Sequence, residues 1–176
     1  KIIAFRNMPI FRSLTTEQLD LLANSAIYEK VAKNAVIYDT GSVMDYVYVI
    51  EKGSVKLGIV AACGKTLTKD IVYENELFCE NIFSSGLITK EFAETMTETK
   101  VYKIPISIFK SLIIANNVFA NDIMTIIVIK LQNLEERLQN FVFRKAKERI
   151  VNFIYRSGLR KGIKIGLNER LIDQGM

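Results

Sequence analysis

A chain of 176 residues, 49% hydrophobic and 24% charged, has room for one sizeable core and the start of a second domain. It contains no histidine and only two cysteines, Cys63 and Cys79. That removes the commonest general base and metal ligand, excludes Ser-His-Asp and Cys-His catalysis, and leaves too few thiols for a disulfide framework or a four-thiolate iron–sulfur site. No enzyme is expected, and a reducing cytoplasm is the simplest home for two thiols. The net charge of +5 is unevenly placed: from Lys130 onward eleven basic residues face five acidic ones, while the rest of the chain carries 13 basic and 14 acidic. The richest apolar run, Ile123 to Ile129, is broken by Thr125 and stopped by Lys130, well short of the ~18 residues that a membrane span needs, so no membrane partner is expected. The chain opens on Lys1 rather than Met, so its start is expected to lie upstream.

To about Lys30 the pattern is helical: Leu14, Leu19, Leu22, Ala23 and Ile27 approximate one face, and Thr15 or Thr16 supplies a cap. From Val31 to Pro105 it is β. The segments 35–38, 46–50, 55–60 and 100–104 alternate or are β-branched, and Asp39-Thr40-Gly41, Glu51-Lys52-Gly53, Cys63-Gly64 and Ser84-Ser85-Gly86 punctuate them as turns. Many short strands at even spacing predict a sandwich or barrel. From about Ser107 the chain is helical again. Met124, Ile127, Leu131, Leu134, Leu138 and Phe141 are separated by 3, 4, 3, 4 and 3 residues, an a/d seam sustained beyond two heptads. Ile123, Ile126 and Val128 add apolar surface in its first half, which favours a parallel, self-associating helix over one docked only on its own sheet. Arg144 to Arg156 reads as a second helix, with Ala146, Ile150, Phe153 and Ile154 on one face and Ser157-Gly158 closing it. Gly162 to Met176 is a mixed tail.

Three stretches make the order specific. Met8-Pro9-Ile10-Phe11-Arg12-Ser13-Leu14-Thr15 precedes the first long helix. Gly41, then Tyr46 to Leu57 with Gly53 at its centre, forms a hairpin signature. Glu76-Leu77-Phe78-Cys79-Glu80-Asn81-Ile82 looks like a phosphate-binding cassette. Together they resemble the Crp/Fnr family of transcription regulators. The resemblance implies an α+β, mainly β fold: a double-stranded β-helix (jelly-roll) sensor domain, with an N-terminal helix and a long C-terminal coiled-coil dimerisation helix. It implies residues 1–115 as the sensor, 116–142 as the dimerisation helix and 143–176 as the start of a DNA-binding domain whose helix-turn-helix lies outside this chain. It further implies a homodimer with Met124, Ile127, Leu131, Leu134, Leu138 and Phe141 in the interface. Arg144, Lys145, Lys147 and Arg149 would then lie near the DNA backbone, and an effector pocket would lie between roll and helix.

For the ligand, the resemblance points to Phe78, Cys79, Glu80 and Lys90. The family cassette opens with a Gly, here Cys79, followed by the ribose-holding Glu, here Glu80. Its phosphate-neutralising Arg falls near Thr89-Lys90, and this sequence has no Arg between Arg12 and Arg137. Lys90 offers a point charge but no bidentate fork, so cyclic AMP in the usual pose is not expected and no cofactor is assigned. Several residues have a second reading: Glu80 as a plain exposed carboxylate, Cys79 as a small buried hydrophobe rather than a redox thiol, and Cys63 as an inert residue of a hairpin loop. Glu94, Thr95 and Thr97 would face a pocket or simply follow strand alternation, and Tyr46 and Tyr48 would pair in the core or on the surface. For the whole chain, the rival is a cyclic-nucleotide-binding regulatory module of a signalling protein that binds no DNA. A cupin-like metal enzyme is the weakest option without His.

Overall fold

The computed structural model describes residues 1–78 and 88–143 and, further on, 148, 150, 151, 154, 155, 163, 164, 170 and 171. The chain divides into two compact units, Lys1–Met124 and Thr125–Met176.

The first unit opens with helix α1 (Ile2–Asn7), a 3-10 turn (Pro9–Phe11) and helix α2 (Thr16–Ser25). Pro9 begins the 3-10 turn, where its missing N–H costs nothing. Thr15 is the α2 cap: its hydroxyl accepts from the Gln18 N–H at 3.3 Å, and the Gln18 side chain accepts from the Thr15 N–H at 3.0 Å. Leu19, Leu22 and Ala23 are buried as expected. Ile27 departs from the sequence reading. The helix ends at Ser25, and Ile27 opens strand β1 (Ile27–Val31), whose aromatic and β-branched residues suit the pleated edge they occupy.

Strands β2 (Val36–Tyr38), β3 (Tyr46–Lys52), β4 (Ser54–Val60), β5 (Thr66–Tyr73), β6 (Leu77–Phe78), β7 (Phe92–Thr95) and β8 (Thr99–Pro105) complete the roll. They form two four-stranded sheets ordered β1-β8-β3-β6 and β2-β7-β4-β5, with antiparallel pairing throughout. The four segments read from sequence coincide with β2, β3, β4 and β8. Gly53 makes the β3–β4 turn at φ +101°, and a Cβ there would sit 2.7 Å from the Glu98 carbonyl oxygen, so the position excludes side chains on both grounds.

Within the β1-β8-β3-β6 sheet, β3 is buried on both faces from Val47 to Ile50, which is why Val47, Tyr48, Val49 and Ile50 run as an unbroken apolar block. Tyr48 pairs with Phe78 and turns inward to the second sheet. Val49 pairs with Tyr102 on the opposite face, where Phe5 packs on Tyr102 at 4.6 Å between ring centroids. A chain of edge and tilted contacts continues from Phe5 to Phe11, Phe119 and Phe109. It ties the N-terminal helices to α3 (Ile106–Ala115) and to the start of α4 (Asn117–Phe143).

Asn116 holds the α3–α4 corner. Its Oδ1 accepts from the Phe119 N–H at 3.0 Å, capping α4, while its amide donates to the Ser13 carbonyl and to Gln18 Oε1, both at 2.9 Å. The two helices meet at 116°. Among the described residues no single helix is long and apolar enough to cross a membrane. The bent α3–α4 pair passes by length and composition only, and it buries Ile106, Phe109, Leu112, Phe119 and Ile123 in the protein core.

In the second unit α4 continues to Phe143. The expected helix over 144–156 lies largely outside the described residues, although Glu148, Ile150, Val151, Ile154 and Tyr155 within it are helical. Strands β9 (Ile163–Lys164) and β10 (Arg170–Leu171) pair antiparallel in the expected tail.

Candidate functional site

Along β7 and the residue before it, Glu91, Ala93 and Thr95 alternate with Phe92 and Glu94. Ala93 pairs with both Tyr38 and Leu57, so all three share the face turned into the roll. Glu91 therefore points inward, and its side chain is only 12% exposed. The Tyr38 hydroxyl donates to Glu91 Oε1 at 3.1 Å, and Lys69 Nζ lies 3.0 Å from Oε2. Lys69 enters from β5 at the register shift opposite Leu57 and Gly58, where the bulge lets a residue step out of the alternation. Tyr38 leans on Tyr48 at 5.5 Å, and Tyr48 stacks on Phe78 at 5.0 Å with planes 16° apart. Among the described residues, the Glu91 carboxylate, the partly exposed Lys69 ammonium and the Tyr38 phenol thus meet beside an aromatic wall.

Thr89 closes this cluster. It is 3% exposed, and its hydroxyl donates to the Glu91 carbonyl and accepts from the Glu91 N–H, both at 3.1 Å. Its own backbone bridges to Gly41 and Ser42. Of Thr89-Lys90, near which the family's arginine was counted, Thr89 is a small residue committed to backbone bonding and Lys90 is exposed.

Of the four ligand residues read from sequence, Cys79 and Glu80 lie outside the described residues. Phe78 is fully buried in the aromatic stack, and Lys90 is exposed. Thr95 serves the fold: its hydroxyl donates to the Ala32 carbonyl at 2.6 Å and accepts from the Ala35 N–H at 2.9 Å, fixing the β1–β2 turn. Thr97 accepts from the Ser54 N–H, and Glu94 pairs with Lys56 on the outer face. Tyr46 stands under the Lys103 ammonium at 5.3 Å rather than in the stack with Tyr48. Cys63 is an exposed free thiol at the β4–β5 tip. Sequence reasoning missed Tyr38, Lys69 and Glu91. The phase of Glu91 with Ala93 and Thr95 was the available clue, whereas Lys69 sits in a strand that was not recognised. Among the described residues no group of three or more His, Cys, Asp or Glu side chains is arranged to hold a metal.

Residues 28–116, from β1 to the α3–α4 corner, match the model of the cyclic nucleotide-binding domain. The chain belongs to that family. No curated protein matches it in sequence. Among solved structures, the sensor domain of the transcriptional regulator DNR from Pseudomonas aeruginosa is similar at TM-score 0.63 and 17% identity, over 82% of this chain and 92% of that one. The catabolite activator protein of Thermus thermophilus gives 0.64 and 20% over 88% and 72%. A CooA variant from Carboxydothermus hydrogenoformans gives 0.72 and 19% over 90% and 68%. At these identities the likeness is one of fold. The chain has the expected jelly-roll with N-terminal helices and a long C-terminal helix, and residues 28–116 of it are a cyclic nucleotide-binding domain.

Further along the chain, Met124, Leu131, Leu134, Leu138 and Phe141 are more than half exposed and Ile127 is 39% exposed. Arg144, Lys145, Lys147 and Arg149 lie outside the described residues.

Proposed function

We infer that the chain is the sensing and dimerising portion of a homodimeric Crp/Fnr-type transcription regulator of the cytoplasm. The observation that carries this reading is the seam of α4: six large apolar residues at heptad spacing, all exposed in a single chain, following a cyclic nucleotide-binding domain. Such a stripe left in water is unfavourable, and pairing with its copy in a parallel coiled coil buries it. Past the seam, Arg144, Lys145, Lys147 and Arg149 would meet backbone phosphates, adding affinity without sequence information, and a helix-turn-helix outside this chain would read bases. A small-molecule effector held by the roll would act by favouring one angle of the paired helices over another.

Sedimentation equilibrium tests the reading directly: the expected mass is twice the 20.0 kDa of one chain. A mass of one chain sinks it and favours the rival, a regulatory module of a signalling protein that binds no DNA. Binding to a mixed-sequence duplex tests the basic segment. Replacing Arg144 with Ala should weaken binding for all sequences alike and flatten the dependence of log K on log salt by about 1. An unchanged slope removes Arg144 from the contact.

A further inference from the structure

We propose that Lys130 of one copy pairs with Glu135 of a second copy, and that this pair, made twice by symmetry, sets the two α4 helices parallel and in register. The inference deepens the dimer proposed above and rests on it.

The seam does not fix direction by itself, because its apolar residues can be buried against a second copy running either way. The residues that flank it do choose, since in a coiled coil they meet across the interface and their charges set orientation and register. With Met124, Leu131 and Leu138 at a and Ile127, Leu134 and Phe141 at d, the flank before each a is Ile123, Lys130 and Arg137. The flank after each d is Val128, Glu135 and Val142. In parallel, in-register helices the first flank of one copy meets the second flank of the other. Lys130 then faces Glu135, and Arg137 faces Val142. Antiparallel helices with the whole seam overlapped bring the first flank against itself, so Lys130 faces Arg137 twice and the basic groups repel. A parallel pairing slipped by one heptad sets Lys130 against Val128 or Val142 and uncovers two seam residues on each helix. Glu135 is exposed on its helix. Lys130 already interacts within its own chain, and an ammonium with three donors can hold a second partner. Parallel pairing brings both copies of Phe143, where α4 ends, to the same end of the dimer, as two half-sites on one duplex require.

The test is sedimentation equilibrium of the whole chain and its charge variants at low salt, read as the dimer dissociation constant. Lys130→Glu sets a carboxylate against Glu135 and should raise the constant by about tenfold, as should Glu135→Lys. Combining the two reverses the pair and should bring the constant back to within about threefold of the unaltered chain. In an antiparallel dimer Lys130→Glu would face Arg137 and tighten the association, which overturns the proposal. Should Lys130→Glu melt abnormally, Glu135→Lys carries the test, because in the antiparallel arrangement Glu135 faces Val128 and its reversal leaves the constant unmoved. A wild-type mass of one chain overturns the broader reading before any variant is made. A dimer indifferent to these charges overturns only the pair.

Discussion

The β-roll and the second half of α4 are built from similar apolar residues and do opposite things with them. In the roll, Val47, Val49, Ile50, Val55 and Leu57 are completely buried, each on a face that a second sheet or the N-terminal helices cover. Along α4, Leu131, Leu138 and Phe141 are 53%, 63% and 70% exposed. One region has all the partners its surface asks for within the chain. The other presents a regular stripe whose spacing suits an identical helix. The roll is thus satisfied within the chain, whereas the stripe is the feature on which the proposed pairing rests.

The comparison breaks most visibly at the stripe. Leu131→Asp with Leu138→Asp places two charges in the proposed seam, and the sedimentation mass should fall from two chains to one while the melt of the roll persists. Loss of the roll as well would mean that the two regions are not separable. The reverse experiment is Phe109→Ala. Phe109 is fully buried against Phe119 at 5.6 Å, and its truncation should cost about 3–5 kcal/mol in denaturant melts. Thr15→Ala removes one arm of the α2 capping box and should cost about 1 kcal/mol. At alkaline pH, burial and the hydrogen bond to Glu51 push the Tyr102 phenol up to about 12. The folded protein therefore keeps a proton that the unfolded chain releases from its ordinary value of 10.0. The stability from this group is whole below pH 10.0 and is lost as pH rises towards 12. Tyr102→Phe should flatten that part of the pH–stability curve. Smallest of all, Lys30→Ala should move stability by no more than about 0.5 kcal/mol, since its pair with Glu98 at 3.4 Å is largely in water.

The same contrast explains what was legible beforehand. The heptad of α4 was clear because long periodic helices announce themselves, and β3, β4 and β8 because buried strands are dense in Val, Ile and Tyr. β5 was hidden. Thr66, Leu67 and Thr68 are exposed on the sheet edge, and the charged pair Lys69-Asp70 interrupts the strand's Thr, Ile, Val and Tyr residues. β1 was read as helix because Ile27 falls four residues after Ala23, a coincidence of phase that only the pairing of Ile27 with Lys103 resolves. The candidate site was harder still. Lys69, on β5, and Glu91, just before β7, lie 22 positions apart, and β5 and β7 are not neighbours in the sheet, so nothing local marks them as partners.

The Asn116 corner fixes how the chain tolerates changes in its length. One side chain there reaches partners 103 and 98 positions away and also begins α4. Adding or deleting a single residue beside it would forfeit all three bonds together, so the corner has to be kept to the residue. The tip from Ala61 to Lys65 is the opposite case. It closes on itself through the Ala61 N–H to the Lys65 carbonyl at 2.8 Å and the Gly64 N–H to the Ala61 carbonyl at 2.9 Å, with Cys63 in solvent. That tip is where a label or an inserted segment can enter without disturbing the helix that follows the roll.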